Sequence, residues 1–158
     1  MFNSPFCLIF LFNNLNQKIM RPHIPVSSIM IKNIIAITPN EDLERAEVLF
    51  KRHKIKHIPV MSNGVIVGIL SYTDLMRISF AETAADESNS VDSVVYNSFT
   101  IEQVMVKDVV TVSSDTSIKS VAKILSECEF HALPIVDDGQ LVGIITTRDL
   151  LGYLVKQI

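Results

Sequence analysis

Cysteine is almost missing from this chain. Its 158 residues hold two, Cys7 and Cys128, with no CxxC pair and no histidine cluster beside either. That excludes a disulfide framework and offers no zinc site, so a reducing, cytoplasmic setting is expected. An excess of positive charge is missing too: 14 Lys and Arg against 17 Asp and Glu give a net charge of −3, which argues against nucleic-acid binding. No apolar run is long enough to span a bilayer. The N-terminal one, Phe6 to Phe12, covers seven residues, and it lacks both the basic stretch before it and the small residues after it that a secretory signal needs. Residues 1–23 are therefore expected to be an extension outside the fold, with 1–19 a mis-assigned start upstream of Met20. The alternative is a hydrophobic tail that docks on a partner.

Enzyme signatures are equally scarce. There is no GxxxxGK[ST], no GxGxxG opening a helix, no GxSxG and no HExxH, and the four histidines, at 23, 53, 57 and 131, are scattered. No catalysis is expected. What is present is apolar substance, 48% of the residues, enough for a globular core.

A repeat is also present. At an offset of 75 with no gap, Met30 falls on Met105, Pro59 on Pro134 and Gly64 on Gly139; GILSYTDL (Gly68 to Leu75) falls on GIITTRDL (Gly143 to Leu150). One supersecondary unit built twice is the simplest reading. The boundaries are residues 24–78 for the first repeat, 79–99 for an acidic linker and 100–158 for the second repeat. Within each unit, Ile34–Ile37 or Val109–Val112 reads as a strand, and Asn40 or Asp115 as the N-cap of an amphipathic helix. Two apolar runs follow, joined by Asn63-Gly64 or Asp138-Gly139, which predicts hairpins. A last helix begins near Tyr72 and Thr147. The fold class is α/β in the α+β sense: two tandem β-α-β-β-α repeats packed with pseudo-two-fold symmetry.

Ser71 with Asp74, and Thr146 with Asp149, have capping-box spacing, which any helix can use. The same spacing suits a ligand. A helix start offers N–H groups to an anion, and a carboxylate one turn in can accept hydrogen bonds from vicinal hydroxyls. Gly68 and Gly143, three residues earlier, allow another backbone or a ligand to come close. Phosphate and ribose together describe a nucleotide. Lys56, His57, His131 and Arg148 are the basic residues near these phrases, and since neighbouring strand residues face opposite ways, one of Lys56 and His57 is expected to be structural. Met30 and Met105 are expected to pack.

The doubled pattern, a hydrophobic-Pro-hydrophobic strand, an Asn/Asp-Gly turn and Gly-hydrophobic-hydrophobic-Ser/Thr-x-x-Asp, resembles a tandem pair of CBS domains, the Bateman module, over about residues 24–157. The resemblance implies a non-catalytic regulatory module that binds an adenine nucleotide or an S-adenosylmethionine-like compound as a regulatory ligand between its repeats. Asp74 and Asp149 match the family's ribose-binding aspartates, Ser71 and Thr146 the hydroxyl beside them, and Ile35 and Val110 the lining of the adenine pocket. Lys56, His57 and His131 match its phosphate contacts, where Ala132 leaves the second copy with fewer cations. A homodimer formed through the helices after Tyr72 and Thr147 is also implied; with no attached enzyme, channel or transporter domain in the sequence any regulated protein is expected to act in trans, and the charge and the short apolar runs lead to no expected nucleic acid or membrane partner. The competing reading is a ligand-free interaction scaffold in which both phrases only cap helices.

Overall fold

The computed structural model describes residues 24–83 and 99–158, and the side chains of all of these except 79–83. The predicted extension and most of the predicted linker lie outside the described residues.

In the first repeat, helix α1 (Leu43–His53) is followed by strand β1 (His57–Ser62), strand β2 (Val65–Ser71) and helix α2 (Tyr72–Thr83). After a short helix α3 (Ile101–Val104), the second repeat has α4 (Ile118–Glu127), β3 (Ala132–Asp137), β4 (Gln140–Thr146) and α5 (Thr147–Val155). Helix α2 thus extends into the predicted linker. Both hairpins turn through residues of positive φ, Asn63-Gly64 and Asp138-Gly139, as the Asn-Gly and Asp-Gly signals require. The strands pair antiparallel in matching registers, His57 opposite Ser71 and Ala132 opposite Thr146, with a register shift at equivalent places, Val60/Met61 and Ile135/Val136.

Two expectations need correction. The N-caps are Asp42 and Ser117, two residues beyond Asn40 and Asp115, accepting the backbone N–H of Arg45 and of Ser120. Asn40 and Asp115 instead lie in the turns before these helices, where Asp115 accepts the Ser113 hydroxyl at 2.5 Å. The expected first strands are reduced to single parallel bridges, Ile37 with Val60 and Val112 with Ile135.

The second correction has a tertiary cause, an exchange of segments between the repeats. Ile31 exchanges both backbone hydrogen bonds with Ile144 of β4, at 2.9 and 3.0 Å, before the chain crosses to meet β1 at Ile37. Val106 does the same with Ile69 of β2, both bonds at 3.0 Å, before crossing to β3 at Val112. A segment that serves one sheet at its start and the other at its end cannot pair along its length with either. The cores follow the exchange. Val26, fully buried, packs with Val121, Leu133 and Ile145 of the second repeat, while its equivalent Ile101, also fully buried, packs with Leu43, Ile58 and Leu70 of the first. Each repeat is closed by an apolar plug from the other, and β2 also touches β4.

The exchange explains the glycines. A Cβ on Gly68 would overlap the Met105 sulfur, and one on Gly143 would crowd the Met30 sulfur. The close approach that these glycines permit is therefore by protein. Both methionines pack, as expected from their setting.

Candidate functional site

The two Ser/Thr-x-x-Asp phrases occupy equivalent corners, where β2 runs into α2 and β4 into α5. In the first, the Ser71 hydroxyl accepts the Asp74 N–H at 3.1 Å and donates to Asp74 Oδ2 at 2.5 Å. In the second, Thr146 and Asp149 form a reciprocal capping box: Asp149 Oδ2 accepts the Thr146 N–H at 2.9 Å and its hydroxyl at 2.6 Å, and the Asp149 N–H reaches the hydroxyl at 3.3 Å. Capping is thus a role that both copies fill. It uses one carboxylate oxygen of each aspartate. Oδ1 of Asp74 stands 3.5 Å from the Arg77 guanidinium, while among the described residues Oδ1 of Asp149 accepts no hydrogen bond. Both aspartates are half-buried, which leaves an acceptor at each corner within reach of a ligand hydroxyl.

The residues before the prolines close these corners through their backbones. The Lys56 carbonyl accepts the Tyr72 N–H at 2.9 Å, and the His131 carbonyl accepts the Thr147 N–H at 3.0 Å. Strand β1 begins at His57, so Lys56 lies just outside it and its side chain is free of the strand's alternation. Its ammonium sits over the Tyr72 ring, 4.2 Å from the centroid, and that ring meets Phe50 edge-on at 5.5 Å. His57 is half-buried. Burial first, and then the neighbouring His131, hold its pKa below the ordinary 6.5, while Asp74 pulls the other way. The charges that act on His57 thus include Asp74 of its own repeat and His131 of the other.

The remaining expected residues are more dispersed. Ile35 and Val110 lie on the two crossing segments, between the bridges to one sheet and to the other. Ile35 packs against the first core, whereas Val110 is 47% exposed. Arg148 is exposed in the first turn of α5. Arg77 was missed by the sequence reading, although its place three residues after Asp74 on a helix could have signalled it. A cavity of about 500 Å³, lined in part by Thr38, Asn40, Met61, Asn63 and Glu102, opens at the hairpin end of the first repeat. It reaches along β2 as far as Val67 and includes none of the predicted site residues. No group of three potential metal ligands occurs among the described residues.

Two α+β units, joined by exchanged segments and carrying matched aspartate corners, define a paired-repeat module. The CBS-domain family model matches residues 26–81 and 101–156, and the chain belongs to that family. Solved structures agree. The CBS pair of protein MJ0100, in complex with 5′-methylthioadenosine and S-adenosylmethionine, superposes with a TM-score of 0.72 at 27% identity, covering 87% of this chain and all of that one. Protein MJ1225 of Methanocaldococcus jannaschii gives 0.73 at 27% identity, over 90% of this chain and 51% of that one. Among curated sequences, MJ1232 of the same organism is 33% identical over 134 residues, 84% of this chain and 40% of the relative. A homoserine O-acetyltransferase of Methanococcus vannielii is 32% identical over 131 residues, 82% of this chain and 24% of the enzyme. The chain spans less than half the length of these curated relatives. No described helix is long and apolar enough to cross a membrane.

Proposed function

We propose that this CBS pair is a non-catalytic regulatory module that binds an adenine nucleotide or a related adenosyl compound between its repeats. In this reading Asp74 and Asp149 accept the ribose hydroxyls, with the Ser71 and Thr146 hydroxyls beside them. Ile35 and Val110 flank the base, and Lys56, His57, His131 and Arg148 face the 5′ substituent. The observation that carries the reading is the pair of half-buried aspartates, each keeping a carboxylate oxygen outside its helix cap at the corner where a strand runs into a helix. Its support is a neighbour of the same family that holds two adenosyl ligands. A ligand touching both repeats biases their relative orientation by its differential affinity for two arrangements, and that is how occupancy would reach a regulated protein acting in trans.

Titration calorimetry with AMP, ADP, ATP and S-adenosylmethionine tests this, with the Asp74→Asn and Asp149→Asn variants alongside. Saturable binding weakened about ten- to hundredfold by one of the variants is the expected outcome, since a lost charged hydrogen bond is worth that much and Asn still caps a helix. Silence across the panel at millimolar concentration would leave the scaffold reading.

One observation favours self-association as well. Leu151, Leu154, Val155 and Ile158, 59%, 45%, 73% and 96% exposed, follow i, i+3, i+4, i+7 spacing along α5 and the residues after it. A second copy of the chain would cover this stripe, and sedimentation of wild type against Leu151→Glu/Val155→Glu tests it: a dimer that becomes a monomer supports the reading, and a monomeric wild type overturns it.

A further inference from the structure

We infer that the two corners divide ligands by charge: the Ser71–Asp74 corner takes an adenosine that carries a phosphate, and the Thr146–Asp149 corner takes an adenosyl compound without one. This rests on the reading of the module as an adenosyl-binding pair and goes further by assigning a ligand class to each half.

The argument starts from positions that the repeat makes equivalent. Arg52, Lys54 and Lys56 stand at the C-terminal end of α1 and just before β1, and all three are exposed. The offset of 75 places Glu127, Glu129 and His131 at the corresponding positions, also exposed. Two cations in one repeat are thus replaced by two carboxylates in the other, while the third gives way to a histidine. Arg77 adds a cation to the first corner and Arg148 one to the second, so the contrast survives.

Backbone ties join the end of each charged segment to a ligand corner. The Lys56 carbonyl is tied to the first N–H of α2, and the Tyr72 ring beneath its ammonium holds that charge at the helix start. In the second repeat the His131 carbonyl is tied to the first N–H of α5, and Glu129 lies two residues before His131 in the chain. Thr147 replaces Tyr72, which leaves no ring there to hold a cation. Of the two acidic residues, Glu127 has Lys123 3.9 Å away, and both of those side chains are more than 60% exposed, so the pair compensates little. Counting Arg77 and Arg148, a phosphate dianion would face four positive side chains on the first repeat, Arg52, Lys54, Lys56 and Arg77, and one positive and two negative ones on the second, Arg148, Glu127 and Glu129. A neutral thioether or a sulfonium meets no such penalty at the second, where the free Asp149 oxygen still serves the ribose. Because these groups are exposed, each acts through water and salt, and the discrimination is the sum of several screened contributions.

AMP and 5′-methylthioadenosine are suitable probes, since they share the nucleoside and differ in the 5′ group. The 158-residue chain is titrated with each probe alone and with each after saturation by the other. The two are expected to bind together. Asp74→Asn should weaken AMP at least tenfold and leave 5′-methylthioadenosine unchanged, and Asp149→Asn should do the reverse. Reversing two exposed charges away from the ribose contacts, Arg52→Glu/Lys54→Glu, should weaken AMP about three- to tenfold without moving 5′-methylthioadenosine, and added salt should act in the same direction. Competition between the probes for one corner, equal responses to the two aspartate variants, or an AMP affinity indifferent to the charge reversal would overturn the inference while leaving the adenosyl-binding reading intact. Binding of neither probe would overturn both.

Discussion

The two repeats share a frame and differ in what they hang on it. The shared part is the backbone: the same register shift, the same positive-φ turn, and the same glycine covered by a methionine from the other half. The differing part is the set of side chains around each corner and loop. Phe50, Tyr72 and Lys56 stack in the first repeat, where the offset places Leu125, Thr147 and His131 in the second. At the hairpin end, Asp137 Oδ1 accepts the Ser114 N–H at 2.9 Å, a bond that holds its carboxyl below the usual 3.8. The equivalent residues are Ser62 and Pro39, and proline has no N–H to donate, so that tie is missing where the first repeat opens its cavity. Positions that carry the exchange are repeated because both sheets need them; positions that face solvent are free to diverge.

The largest test of this comparison is to remove the plugs. Ile101→Ala should destabilise the fold by about 2–5 kcal/mol and its equivalent Val26→Ala by about 1.5–3 kcal/mol, read by denaturant unfolding. Both side chains are fully buried in the other repeat's core, so a negligible effect at either position would break the exchange picture.

Filling the glycines comes next. Gly68→Val and Gly143→Val should each cost about 1–3 kcal/mol by overpacking, with Gly68 the worse. Its added Cβ meets the Val106 carbonyl at 3.1 Å as well as Met105, whereas at Gly143 the Ile31 carbonyl is 3.4 Å away. The reverse order would say that the two plugs are not seated alike.

Making the first corner resemble the second is a smaller change. Tyr72→Thr removes the edge contact with Phe50 and the ring under Lys56, an expected loss of about 1–2 kcal/mol. Thr147→Tyr should gain nothing, because Leu125 and His131 offer neither partner.

The smallest effect concerns pH. His57 has a folded-state pKa below 6.5, so the unfolded chain binds more protons in the window between the two values. Its contribution is fully present above 6.5 and is lost as the pH falls towards the folded value. The melting temperature should therefore drop as the pH falls below about 6.5, less steeply in His57→Gln, and His131→Ala should shrink the drop by removing a neighbour that depresses the His57 pKa. A slope unchanged by either variant would detach His57 from these charges.

Much of this was legible in the chain itself. Alternation and Asn-Gly or Asp-Gly turns specify the hairpins, and hydrophobic spacing specifies the helices; the offset of 75 specifies that the unit occurs twice, and Ser/Thr-x-x-Asp specifies where α2 and α5 begin. These are local rules, satisfied by backbone geometry within a few residues. The helix caps were displaced by two residues because several polar groups in Asn40-Glu41-Asp42 and in Asp115-Thr116-Ser117 compete, and burial of Leu43 and Ile118 selects the one immediately before them. Only the tertiary structure decided that Val26 and Met30 belong to the second repeat and Ile101 and Met105 to the first, that Gly68 and Gly143 make room for sulfur, and that the charge of His131 acts on His57. Each of those depends on which of two nearly identical sheets a segment joins, and a sequence that repeats itself carries no local signal to choose between them.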